Sequence, residues 1–156
     1  MDDAAWGPTM FDTYLNADVG NAGVLRMFPA LDLEAEPDLP EPVEPADRRR
    51  YRTIWISDVH LGTRGCNAGL LLDFLDRTDS DTLYLVGDII DGWRLKKRVF
   101  WPAAHNDGVR RILKRAKRGT RIIYIPGNHD EMFRQFTGMS FGGVEIRRAA
   151  FHTTAD

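Results

Sequence analysis

The 156-residue sequence has one cysteine, Cys66. No disulfide can close within it, so the cross-links that hold many small secreted domains together are excluded and a reducing compartment is expected. No apolar run approaches the roughly 20 residues of a membrane-spanning helix. The opening residues "MDDAAWG" are acidic where a secretory leader is basic, so no signal peptide is read there. A cytoplasmic protein is expected, with peripheral contact at the inner membrane left open. Proline is scarce beyond residue 50: six of the eight fall before it, four of them in "EPDLPEPVEP".

What is present is uneven. Net charge is only -2, yet residues 1–50 hold eleven Asp/Glu against four Arg, while residues 93–121 hold eleven Lys/Arg against Asp107 alone. The first stretch has no apolar periodicity and too little apolar surface to offset chain entropy. Residues 1–50 therefore read as a disordered acidic, Pro-rich extension, with a weak helix around Thr13–Met27, and residues 51–156 as the folded domain. "DRRRYR" at the junction reads as a solvated charge run before a strand, or as a basic patch for nucleic acid or a membrane.

Beyond Arg52 the pattern is regular. "RTIWIS", "TLYLVG" and "RIIYIPG" are β-branched and aromatic runs, hence strands. "NAGLLLDFLDRT" places Leu70, Leu71, Phe74 and Leu75 at helical spacing behind Asn67 as N-cap. "WPAAHNDGVRRILKRAKRG" is a second helix: Pro102 in its first turn, Val109, Ile112, Leu113 and Ala116 as its buried stripe, Gly119 as its stop. "DEMFRQFTG" reads as a short helix, and "GGVEIRRAAFHTT" as the start of further β structure. Strand–helix–strand alternation at this spacing implies an α/β fold with a parallel sheet, whose ligands bind beyond the carboxyl ends of the strands.

Each of those strand ends carries polar residues. "SDVHLG" has Asp58 and His60, which an extended segment would turn to one side. "GDIIDGW" has Asp88 and Asp91. "PGNHDE" has Asn128, His129 and Asp130. Taken singly, each reads as well as a turn aspartate, a helix cap or an Asx-turn. Taken together they converge on one sheet edge, where four carboxylates would repel one another unless cations were present. Carboxylate, imidazole and amide oxygen form a mixed donor set suited to Mn²⁺, Fe²⁺ or Zn²⁺ more than to calcium. One aspartate can bridge two ions about 3.5–4 Å apart, a spacing that clamps both oxygens of a phosphoryl displacement.

The motifs "DVH", "GDIID" and "GNHD", in that order after three strands, resemble the calcineurin-like metallophosphoesterase superfamily. The longer stretches "ISDVHLGTRG", "LYLVGDIIDGW" and "FWPAAHNDGVRRILKRAKRGTRIIYIPGNHDE" resemble its UDP-2,3-diacylglucosamine diphosphatase-like branch. The resemblance covers about residues 52–156. It implies a βαβ half-sandwich in which helices flank a mostly parallel sheet, and two divalent ions, manganese before iron or zinc. Asp58 and His60 would bind the first ion, Asp88 both, and Asn128 the second. His129 would face the phosphoryl group, with Asp91 and Asp130 holding ligands or His129 in orientation. The activity implied is hydrolysis of a phosphate ester or pyrophosphate by a metal-bound hydroxide.

Two departures qualify the match. The family draws further histidine ligands from "HGD"-like and "GHxH"-like segments, and neither occurs here. The expectation is a chain that stops partway through the family's fold, with an incomplete second sheet. Lipid-specific members often carry arginine where His129 stands, which loosens the transfer of their exact substrate. The remaining histidines are His105 and His152. Arg94 and Lys97, among the cations after the second cluster, read either as substrate contacts for a diphosphate or anionic lipid headgroups or as a solvated helix face and loop, and His105 reads as structural or as a substrate contact. Trp93, Phe100 and Trp101 either pack the core or shape an apolar groove. Nucleic acid is not the expected partner, and the oligomeric state is not read. The competing function class is an inactive metal-binding remnant with a basic surface for anions or membranes.

Overall fold

The computed structural model describes residues 48–154. The expected helix around Thr13–Met27, and all but the last three residues of the expected extension, lie outside the described residues. Strand β1 (Arg49–Ile56) leads to α1 (Ala68–Arg77), β2 (Thr78–Val86), α2 (Gly92–Lys97), α3 (Ala103–Lys117) and β3 (Arg121–Ile125). A 3-10 helix (Glu131–Phe136) and two short strands, β4 (Ser140–Phe141) and β5 (Val144–Ile146), follow.

The strands form one five-stranded sheet in the order β1-β2-β3-β5-β4. All pairings are parallel except β4 with β5. This is the α/β, mostly parallel arrangement expected. Period-2 alternation sorts its side chains. Ile54, Leu83, Ile122 and Val144 stand in register across four strands and are all buried. Each such side chain contributes roughly 1.5–3 kcal/mol when removed from water. The adjacent row puts Trp55 beside Tyr84 on the other face, rings stacked at 5.8 Å, and Trp55 is 55% exposed. His152 meets the Trp55 ring edge-on at 4.9 Å.

Three expectations needed correction. Of the expected solvated charge run, Arg49 and Arg50 are exposed but already belong to β1, and Arg48 is not free in solvent: it donates from Nε to the Asp76 carbonyl at 3.1 Å while pairing with Asp79 at 3.2 Å. Those partners come from α1 and β2, so local sequence could not show them. In α1, Asn67 does cap the helix, accepting from the Leu70 N–H at 3.2 Å, but Leu70 and Phe74 are exposed. The buried stripe is Ala68, Leu71 and Leu75, because this helix seats a narrow edge against α3. In α3 the stripe is rotated from the expected one: His105, Gly108, Ile112 and Arg115 are buried, and Val109, Leu113 and Ala116 are half-buried. Gly108 faces Leu71 closely, so a Cβ there would lie 3.3 Å from Leu71 Cδ2. Arg115 is buried because its Nη2 caps the carbonyls of Leu75 and Thr78, where α1 ends.

Candidate metal centre

Parallel pairing brings the carboxyl ends of β1, β2 and β3 to one edge. The loops beyond them remain laced together by backbone hydrogen bonds. The Asp58 N–H donates to the Gly87 carbonyl at 3.1 Å, Gly87 N–H to Ile125 at 2.8 Å, and His60 N–H to Asp88 at 2.9 Å. Leu61 and Ile90 then form a parallel bridge past the strand ends.

Within this lacing, Asp58, His60 and Asp88 adopt φ of 53°, 54° and 55°, the three non-glycine residues with positive φ among those described. The expected extended segment is thereby corrected: left-handed backbone, not strand alternation, aims these side chains. That conformation costs about 1–2 kcal/mol per residue. Aspartate and histidine tolerate it better than branched residues do, and the interloop bonds hold it in place. Strain of this kind concentrates where a site demands it.

The result is convergence. Asp58, His60 and Asp88 each offer a ligand atom, all within 4.8 Å of one another. His60, Asp91 and His129 form a second such group, sharing His60 with the first. Among the described residues no lysine or arginine pairs with Asp58 or Asp88. Carboxylate and imidazole donors without a cationic partner fit a divalent transition metal.

Asp91 is buried and arranges its neighbours. Its Oδ1 accepts the Arg94 N–H at 2.9 Å, capping α2. Its Oδ2 faces His129 Nδ1 at 3.1 Å and His60 Nδ1 at 3.4 Å. Burial works to raise the carboxyl pKa, but the Arg94 N–H and the two imidazoles outweigh it and hold it below the usual carboxylate range. The His129 ring is confined further, with its centroid 4.5 Å from Trp93 and 4.7 Å from His60. Trp93 is 44% exposed, so it belongs to the site's surface and not to the core. Its place directly after "GDIIDG" was the available signal for this role.

Asp130 is fully buried and accepts from the Ile89 N–H at 2.9 Å, from the Gly127 N–H and from the Tyr124 hydroxyl. Burial, then the Asp130 carboxylate, push the Tyr124 phenol far up, so it stays a donor. Asp130 thus ties the loop after β3 to the loop after β2. Gly127 is packed equally tightly: an added Cβ would lie 2.4 Å from Asp88 Oδ1. Asp88 Oδ1 also accepts the His129 N–H at 3.0 Å. Asn128 sits between these two anchors and is exposed.

A groove of about 780 Å³ opens beside the cluster, lined by Asp58, His60, Asp91 and His129 and by Arg94, Lys97 and Phe100. Arg64, passed over in the sequence, also lines it and lies 5.6 Å over the Phe100 ring. His105 does not line this groove. It is 2% exposed, and its Nδ1 accepts the Gly62 N–H at 2.9 Å. Of the two roles read for it, structural or substrate contact, these contacts describe the first: it anchors the loop after β1, flanked edge-on by Phe100 at 5.8 Å and Trp101 at 5.7 Å.

Among protein families, the model for calcineurin-like phosphoesterase matches residues 51–150. Among curated proteins, the chain is similar to the UDP-2,3-diacylglucosamine hydrolases of Xanthomonas campestris pv. campestris, strains B100 and 8004. Each is 33% identical over 109 residues, which is 67% of this chain and 39% of the relative. The match therefore spans less than half the length of those relatives. No solved structure matches the chain.

Proposed function

Because this chain belongs to the calcineurin-like phosphoesterase family, we propose that it carries the metal-binding part of a hydrolase for a phosphate ester or a nucleotide-linked diphosphate. The observation that carries this reading is the convergence of Asp58, His60 and Asp88 within 4.8 Å on left-handed backbone. Two divalent ions, manganese first among manganese, iron and zinc, would supply Lewis acidity toward the phosphoryl group. Asp58 and His60 would hold one, Asp88 both, and Asn128 the second.

The chain's own residues prepare the rest. Asp91 faces the Nδ1 atom of both His60 and His129, which leaves each Nε2 for a ligand or a phosphoryl oxygen. Trp93 limits tilting of the His129 ring, so His129 can stabilise charge or give a proton to the leaving oxygen from a defined position. Arg94 and Lys97 receive the charge of a diphosphate along the groove wall. Val99 and Phe100, on the same wall, suit an apolar portion of a substrate such as the UDP-linked lipid named in the relatives. Among the described residues no helix is long and apolar enough to cross a membrane, and peripheral contact at the inner membrane from the cytoplasm is part of this proposal.

The test uses the purified full chain with Mn²⁺, bis(p-nitrophenyl) phosphate and UDP-2,3-diacylglucosamine, with bound metal measured by plasma spectrometry. Metal uptake and turnover are expected, and Asp88→Ala should abolish uptake and reduce turnover by at least about 10²-fold. Metal uptake without turnover would favour the binding remnant. No uptake at all would overturn the reading.

A further inference from the structure

The opposite end of the sheet holds a second, differently built cavity of about 250 Å³. It lies where β1 and β2 begin and where α3 ends. Ser80 in its wall is six residues before Val86, the last residue of β2, about 20 Å along an extended strand, and the metal centre lies beyond Val86. Six cationic side chains line it, among them Arg48, Arg111, Lys114, Arg115 and Arg118, against three carboxylates. Those carboxylates are already engaged: Asp79 with Arg48, Asp81 with Arg50 and Asp76 with Arg111.

Three of the lining residues carry unmet hydrogen-bonding groups. Arg115 Nη1, Arg111 Nε and Ser80 Oγ are buried without a hydrogen-bond partner. Arg115 is 7% exposed and Ser80 is 5% exposed. A buried donor left unpaired costs about 1–3 kcal/mol, so each of these donors favours an acceptor. Burial, and then repulsion from Arg48, also lower the pKa of Arg111, and the same two causes act on Arg115 against an opposing effect of Asp79. An anion would relieve both.

We propose that this cavity, formed by Ser80, Arg111, Lys114, Arg115 and Arg118, is a second binding site for a phosphate-class oxyanion, separate from the metal centre. Guanidinium forks match tetrahedral oxyanions in charge and geometry. The volume falls below the roughly 300–1,000 Å³ of pockets for organic ligands, so it suits an inorganic ion or the phosphate end of a small metabolite. Ligation would lock the end of α3 to the start of β2.

The experiment is titration of the isotope-labelled full chain with inorganic phosphate, followed through the backbone amides of Ser80, Gly119 and Thr120 by NMR. Saturable shifts are expected, absent with chloride at equal ionic strength. They should persist in Asp88→Ala, which separates this site from the metal centre. In the rim variant Lys114→Glu/Arg118→Glu, binding should weaken about tenfold or more, with circular dichroism confirming an intact fold. A parallel titration with glycerol 3-phosphate assigns the source: tighter binding marks a carried phosphate group, and equal or weaker binding marks the free ion. Shifts that never saturate, that chloride reproduces, that the rim variant leaves unchanged or that Asp88→Ala removes would each overturn the proposal.

Discussion

The two ends of the parallel sheet are both crowded with charge, but they handle it differently. At the amino ends, arginines from one element meet aspartates from another: Arg48 with Asp79, Arg50 with Asp81, Arg111 with Asp76. At the carboxyl ends, Asp58 and Asp88 approach each other without a lysine or arginine partner among the described residues, on backbone held at positive φ. One end spends its carboxylates on ion pairs that join elements. The other holds them, under local strain, free for a cation. Carboxylate density alone therefore does not mark a site. The absence of a basic partner together with strained backbone does.

That contrast can be broken at its tightest point. In Gly127→Ala the new Cβ must displace Asp88 from its position beside the loop after β3. Metal affinity should fall about 10–100-fold with the fold retained, read by competitive metal titration and circular dichroism. A variant that binds metal normally would show that Asp88's placement is not set by this contact. Next in size is Tyr124→Phe, which removes the hydroxyl that donates to buried Asp130. Chemical denaturation should show a loss of about 1–3 kcal/mol.

A smaller effect belongs to His105. Burial lowers its pKa below 6.5, so the folded chain binds that proton less readily than the unfolded chain. Its contribution to stability is fully present above pH 6.5 and is lost as pH falls from there toward the depressed folded value. Urea midpoints of the native chain should fall across that window more steeply than those of His105→Gln. The smallest effect is expected at the other end of the sheet. Arg50→Ala breaks an ion pair whose partners are 77% and 55% exposed, and solvent screening makes its contribution slight. A denaturation curve displaced clearly from the native one would show that the amino end depends on its ion pairs more than this comparison allows.

Much of the fold could be read from the chain because its signals are local. β-branched runs, the Asn67 cap and the Gly119 stop are each decided within a few residues, and all stand in the structure. The helix faces were read less well. Leu70 and Leu113 have helical spacing, but which side of a helix is buried depends on its neighbour, and Gly108 and Arg115 drew α3 around. The 3-10 geometry of Glu131–Phe136 in place of an ordinary helix belongs to the same class of detail.

For the candidate site, residue identities and their order were set by sequence alone: Asp58, His60, Asp88, Asp91, Asn128, His129 and Asp130 follow three strands that any parallel arrangement brings to one edge. Tertiary structure decided how they divide the work. It placed Asp91 against two imidazoles, buried Asp130 among Ile89, Gly127 and Tyr124, and took His105 out of the groove to hold Gly62. The reason is physical. Side-chain chemistry is written at each position, whereas burial, hydrogen-bond partners and left-handed backbone arise only when distant segments are packed against one another.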